Sequence, residues 1–168
     1  MKYRRVFNSG KSYFFTVVTA KRQPLFNNEK AVQLFSDALR HVMSSHPFTQ
    51  DAFVIMPDHI HCVWSLPEGD SDYSMRWRLI KAWFKKQAIL LGISQECLEP
   101  HHWEHCLQDD RDYQSHLEYI HYNPVKHGLS ESALGWPHSS FRQYVALGLY
   151  QHNWGSGKLV LPDTVGSE

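Results

Sequence analysis

The chain has 168 residues, 42% of them hydrophobic and 14% aromatic, with zero formal net charge. That length suits a single domain, and that apolar content excludes a disordered polypeptide. No apolar run reaches the roughly 18 residues a membrane-spanning helix needs, and the polar, basic start lacks the apolar middle of a secretory signal.

The charges are unevenly spread. Lys2, Arg4, Arg5, Lys11, Lys21 and Arg22 precede the first acidic residue, and Arg76, Arg78, Lys81, Lys85 and Lys86 form a second basic stretch. Local patches of this kind can grip a phosphate backbone even on a neutral protein. Cys62, Cys97 and Cys106 show no paired spacing and fit reduced thiols in a cytoplasm.

Tyr13 to Thr19 is β-branched and aromatic and predicts a strand. Asn27-Asn28 offers a cap for a helix whose apolar positions are Ala31, Leu34, Phe35, Ala38, Leu39 and Val42, with Pro47 closing the segment. Two short strands follow, Phe53 to Met56 and His59 to Ser65, with Pro57-Asp58 at the joint. Ser74 to Leu91 predicts a second helix, with Trp77, Ile80, Phe84, Ala88 and Leu91 on one stripe and Arg78, Lys81 and Lys85 on the next. A short strand near His102 to Leu107 precedes a third helix, capped by Asp110 or Asp112 and ending near Asn123, ahead of Pro124. The order strand, helix, strand, strand, helix, strand is the ferredoxin-like βαββαβ plan, an α+β fold with an antiparallel sheet and helices on one face. The last helix is an addition to that plan.

Within the third strand the period of two puts His59 and His61 on one face and Ile60, Cys62 and Trp64 on the other. Adjacent imidazoles on a rigid strand can hold one divalent cation. A histidine-triad hydrolase would continue the alternation, but the next position is Val63; a 2H phosphoesterase needs two threonine-bearing copies that the chain lacks. An HUH nuclease needs histidine, a bulky apolar residue and histidine, with a tyrosine on a later helix. On that helix Tyr113, Leu117 and Ile120 share an apolar face, while Asp112, His116, Tyr119 and Asn123 share a more polar one. Spacing alone leaves Tyr113, Tyr119 and Tyr122 all open as nucleophiles.

Several segments together resemble the REP-associated tyrosine transposases, a branch of the IS200/IS605-like single-tyrosine HUH transposases. They are Tyr13 to Val17, Met56 to Trp64, Leu66 to Asp70, Arg76 to Lys81, Trp103-Glu104-His105, Tyr119 to Gly128 and Trp136 to Phe141. The match runs over about residues 3 to 154, departing at His101-His102, where relatives commonly carry arginines.

The resemblance implies one HUH domain over 1–154; the segment 155–168 matches nothing in the family and is expected to be a flexible tail. It also implies a ferredoxin-like fold and Mg²⁺ or Mn²⁺ held by His59 and His61, with Asn123 as a further ligand. Tyr119 becomes the nucleophile, cutting and rejoining single-stranded DNA at REP-type hairpins through a 5′-phosphotyrosine. The expected setting is the bacterial cytoplasm, and the expected state a monomer, with a dimer as the alternative. Arg4, Arg5, Arg78, Lys81 and Lys85 are expected on hairpin phosphates, and Trp77, Trp83 and Trp103 are candidates for base stacking. Two other expectations compete: an inactive hairpin binder, and a zinc-stabilised module built from Cys97, His101, His102, His105 and Cys106.

Overall fold

The computed structural model describes residues 10–157, in which the chain forms four strands and four α-helices. They run β1 (Ser12–Val18), α1 (Glu29–Met43), β2 (Thr49–Ile55), β3 (His59–Ser65), α2 (Tyr73–Leu90), β4 (Trp103–Cys106), α3 (Asp110–Lys126) and α4 (Phe141–Ala146). The sheet order is β2-β3-β1-β4, antiparallel throughout, which is the ferredoxin-like arrangement. β1 and β3 therefore lie at the centre, where almost every side chain on both faces is buried.

Strand alternation builds two separate cores. Tyr13, Phe15, Val17, Ile60, Cys62 and Trp64 face α1 and α2, with Trp77 stacked on Trp64 at a 4.2 Å ring separation. Phe14, Val54 and Val63 face the other way, onto α3 and α4. The first two helices thus cover one face of the sheet, and the added helix α3 covers the opposite one.

Local chemistry explains the helix ends. The Asn28 side chain accepts from the Lys30 N–H to start α1, and Asp72 accepts from the Met75 N–H to start α2. The cap of α3 is Asp109, which accepts from the Asp112 N–H, instead of the predicted Asp110 or Asp112. α3 also runs past Asn123 to Lys126, although Pro124 disfavours helical geometry in the residue before it. Asn123 is fully buried against His59, and the His127 N–H still reaches its carbonyl at 3.0 Å, so tertiary contact overrides the local preference.

Arg76 leaves the basic stretch altogether. It is buried, ion-paired with Asp70 at 2.8 Å, and donates to the carbonyls of His46 and Pro47. Trp77 is likewise core and not a base-stacking surface. Of the expected tail, residues 155–157 are described, and Gly157 accepts a 2.7 Å hydrogen bond from the Tyr122 hydroxyl; the rest lies outside the described residues.

Candidate active site

The sheet register decides which side chains meet α3. Thr16 pairs with His61 and Val18 with His59, so both histidines share the Phe14 face of the sheet. Their rings stand 4.8 Å apart and both are buried.

Each imidazole is oriented through its Nδ1. His61 Nδ1 lies 2.8 Å from Thr16 Oγ1, and His59 Nδ1 lies 2.8 Å from Asp58 Oδ1. A carboxylate only accepts, so His59 donates from Nδ1 and presents the lone pair of Nε2. Asn123 Oδ1 is 3.3 Å from that Nε2, close enough for the two to be neighbouring ligands of one cation. A carboxylate behind a histidine is the usual support for a metal ligand. Burial pushes the Asp58 carboxyl up, but hydrogen bonding and charge from His59, with Arg22 at 3.6 Å, hold it below the ordinary carboxylate value. The donor set therefore fits a divalent cation.

Tyr119 is the tyrosine at this site. Its ring lies 5.2 Å from that of His61, whereas the Tyr113 hydroxyl donates to Asp51 and the Tyr122 hydroxyl to Gly157. Lys126, two turns along α3, donates to Tyr119 Oη at 3.4 Å and sits 4.9 Å from the ring centre. The polar face of α3 is not open to solvent: Tyr119 is only 3% exposed, and His116 and Asn123 are also buried. His121 points away, bonded to Tyr150 and Ser140 beneath α4.

A cleft of about 320 Å³ opens beside His59, lined among others by Arg22, Asp58, His127 and Leu129. Arg22 reaches it from a left-handed backbone (φ 55°), a conformation that a non-glycine residue rarely adopts.

The expected phosphate contacts divide. Arg78 and Lys85 project into solvent from α2. Lys81 is half-buried, donating to the Pro100 carbonyl at 3.1 Å beside His102; burial pushes its ammonium down to about 8 and the His102 imidazole down to about 4. Arg4 and Arg5 lie outside the described residues. Trp103 is 40% exposed on the edge strand β4.

The five-residue zinc cluster is not assembled. Strand alternation turns Cys106 towards the α1 and α2 face, where Cys97 and His102 also pack, while His105 turns the opposite way to Asp112 and His116. Sequence reasoning missed Thr16, Asp58 and Lys126. Asp58 adjoins His59 in the chain, but only the register reveals Thr16.

No protein-family model matches the chain. A REP-associated tyrosine transposase from Escherichia coli is 41% identical over 154 residues, spanning 91% of this chain and 90% of its own. A Haemophilus influenzae protein provisionally assigned to the same group is 36% identical, spanning 91% and 92%. A solved REP-associated tyrosine transposase bound to a REP hairpin superposes with a TM-score of 0.83 at 37% identity, covering 100% of this chain and 98% of that one. A solved protein from Deinococcus radiodurans shares the fold alone, at 15% identity and a TM-score of 0.50. The chain belongs to the REP-associated tyrosine transposase family.

Proposed function

We propose that this protein cleaves and rejoins single-stranded DNA beside REP-type hairpins, with Tyr119 as nucleophile and His59, His61 and Asn123 as ligands of Mg²⁺ or Mn²⁺. The observation that carries this reading is the approach of the Tyr119 ring to His61, within reach of the oriented His59 and Asn123. A hairpin partner is supported by the related transposase solved with a REP hairpin.

A cation held there would draw charge from a non-bridging oxygen of the scissile phosphate. Tyr119 Oη attacks phosphorus and forms a 5′-phosphotyrosine, while the bond to the 3′-oxygen breaks and that oxygen takes up a proton as the 3′-hydroxyl. The phenol's own proton leaves to solvent or a nearby base. Lys126, a donor to Oη, stabilises negative charge on the phenolate, both as it attacks and as it departs in the joining step. Joining reverses cleavage on a new 3′-hydroxyl, so the bond energy is conserved and no nucleotide cofactor is consumed. Nucleophile and metal ligands come from one chain, so a monomer suffices.

The exposed cations Arg78 and Lys85, with Arg4 and Arg5, are assigned to hairpin phosphates, and Lys81 to a lesser share. Trp103 offers an exposed ring for an unpaired base. The proposal is tested by incubating the protein with a single-stranded oligonucleotide carrying a REP-type hairpin and Mn²⁺. A fragment ending in a 3′-hydroxyl, absent after chelation, is expected. Tight hairpin binding without any cleavage would favour an inactive hairpin binder instead.

A further inference from the structure

The polar face of α3 meets two strands, not one. Its C-terminal half brings Tyr119 and Asn123 to the histidines of β3. Its N-terminal half brings Asp112 and His116 to β4, where His105, paired with Phe14, shares the sheet face of His61. The Phe14 ring divides the two groups, 5.5 Å from the His61 ring and 4.8 Å from the His116 ring.

We propose that His105, Asp112 and His116 form a second metal site that takes a borderline transition-metal dication, Zn²⁺ in preference to Mg²⁺. Each residue offers a ligand atom, and the three atoms lie within 4.8 Å of one another. His105 Nε2 is 2.8 Å from Asp112 Oδ2, and the His116 ring lies beside that of His105, with centroids 5.0 Å apart. Two imidazole nitrogens with one carboxylate suit zinc and its neighbours, whereas Mg²⁺ prefers an oxygen shell.

The support around the trio is already built. His116 is 2% exposed, and its Nδ1 lies 2.8 Å from the Asp112 backbone carbonyl, which can only accept. That bond leaves Nε2 without a proton, and Nε2 is buried with no hydrogen-bond partner among the described residues. A buried imidazole nitrogen so placed carries a desolvation cost that a bound cation would remove. Asp112 is fixed in turn by the Gln108 N–H at 2.9 Å and by the Asp109 cap on its own N–H. Three protein ligands also leave room for water or a phosphate oxygen in the fourth position of a tetrahedral ion. A metal here would tie the edge strand β4 to α3 one turn before Tyr119, so the site acts on the position of that helix.

The test does not depend on the catalytic reading. A His59→Ala/His61→Ala double variant removes the other imidazole pair. Zn²⁺ is then titrated by equilibrium dialysis with elemental analysis, and Co²⁺ by its visible absorption. One bound equivalent is expected, with His105→Ala in that background weakening it at least about tenfold. If His105→Ala fails to fold, imidazole NMR of the double variant replaces it, with Co²⁺ expected to broaden His105 and His116 first. No stoichiometric binding, unchanged affinity in the His105 variant, or broadening confined to other histidines would overturn the proposal, leaving a hydrogen-bonded His–Asp–His network.

Discussion

Asn123 Oδ1 lies 3.3 Å from His59 Nε2, although 64 positions separate them in the chain. The contact exists because α3 crosses the sheet face on which β3 presents its alternate side chains. If Asn123 shares a cation with the histidines, Asn123→Ala should weaken Mn²⁺ binding about tenfold, and Asn123→Asp should retain or strengthen it. Thr16→Val, which removes the oxygen orienting His61, should weaken it to a similar degree, while Thr16→Ser should not. Mn²⁺ titration followed by electron paramagnetic resonance reads all four variants. Equal affinities throughout would separate Asn123 and Thr16 from the metal.

Lys126 donates to the Tyr119 hydroxyl from the C-terminal turn of the same helix. Lys126→Met keeps the length of the side chain but removes the charge that steadies a phenolate. Single-turnover cleavage should slow by about a hundredfold, with hairpin affinity nearly unchanged. Lys126→Arg should recover much of the rate. A fall in affinity with no fall in rate would make Lys126 a phosphate contact only.

Arg78 and Lys85 stand in solvent on α2, whereas Lys81 is folded back onto Pro100 and His102. If the exposed pair neutralises hairpin phosphates, Arg78→Ala/Lys85→Ala should flatten the log–log salt dependence of binding by roughly 1.5. Lys81→Ala should change that slope less. An unchanged slope in the double variant would move the hairpin to another surface.

His121 couples stability to pH. It is completely buried between Tyr150 and Ser140, and burial pushes its imidazole down to about 3. The unfolded chain takes up a proton on this residue below about pH 6.5, and the folded protein does not until near pH 3. Stability is therefore full above pH 6.5 and is lost progressively as pH falls towards 3. Between pH 7 and pH 5 this one group should cost about 2 kcal/mol. Urea denaturation at the two pH values should show that loss in the natural chain and a smaller one in His121→Gln.

Much of this was legible in the sequence because short periods carry it. The alternation of His59, Ile60, His61 and Cys62 placed the histidines on one face, and apolar spacing fixed α2 to within one residue at each end, whereas α1 stops at Met43, four residues before the Pro47 expected to close it. The Asp109 cap and the run of α3 through Pro124 were less legible, since the packing of Asn123 outweighs the local preference. Nor could periodicity tell Tyr113, Tyr119 and Tyr122 apart; their hydroxyls meet different partners, Asp51, Lys126 and Gly157, that only the assembled fold supplies. Arg76 read as a surface cation because its partners, Asp70 and the carbonyls of His46 and Pro47, lie on loops whose positions only the assembled fold determines. His105 lay in sequence within a ligand-rich run with Cys97, His101, His102 and Cys106, yet strand alternation sends it to α3 instead.

In the proposed reaction the Tyr119 phenol becomes covalently joined to DNA. Protein incubated with hairpin-bearing single-stranded DNA and Mn²⁺ can be run on a denaturing gel, and the shifted band digested and sequenced by mass spectrometry. A nucleotide attached to the peptide at Tyr119, absent from Tyr119→Phe while hairpin binding persists, is the outcome predicted. An adduct of equal yield in Tyr119→Phe, or one mapped to Tyr113 or Tyr122, would contradict it.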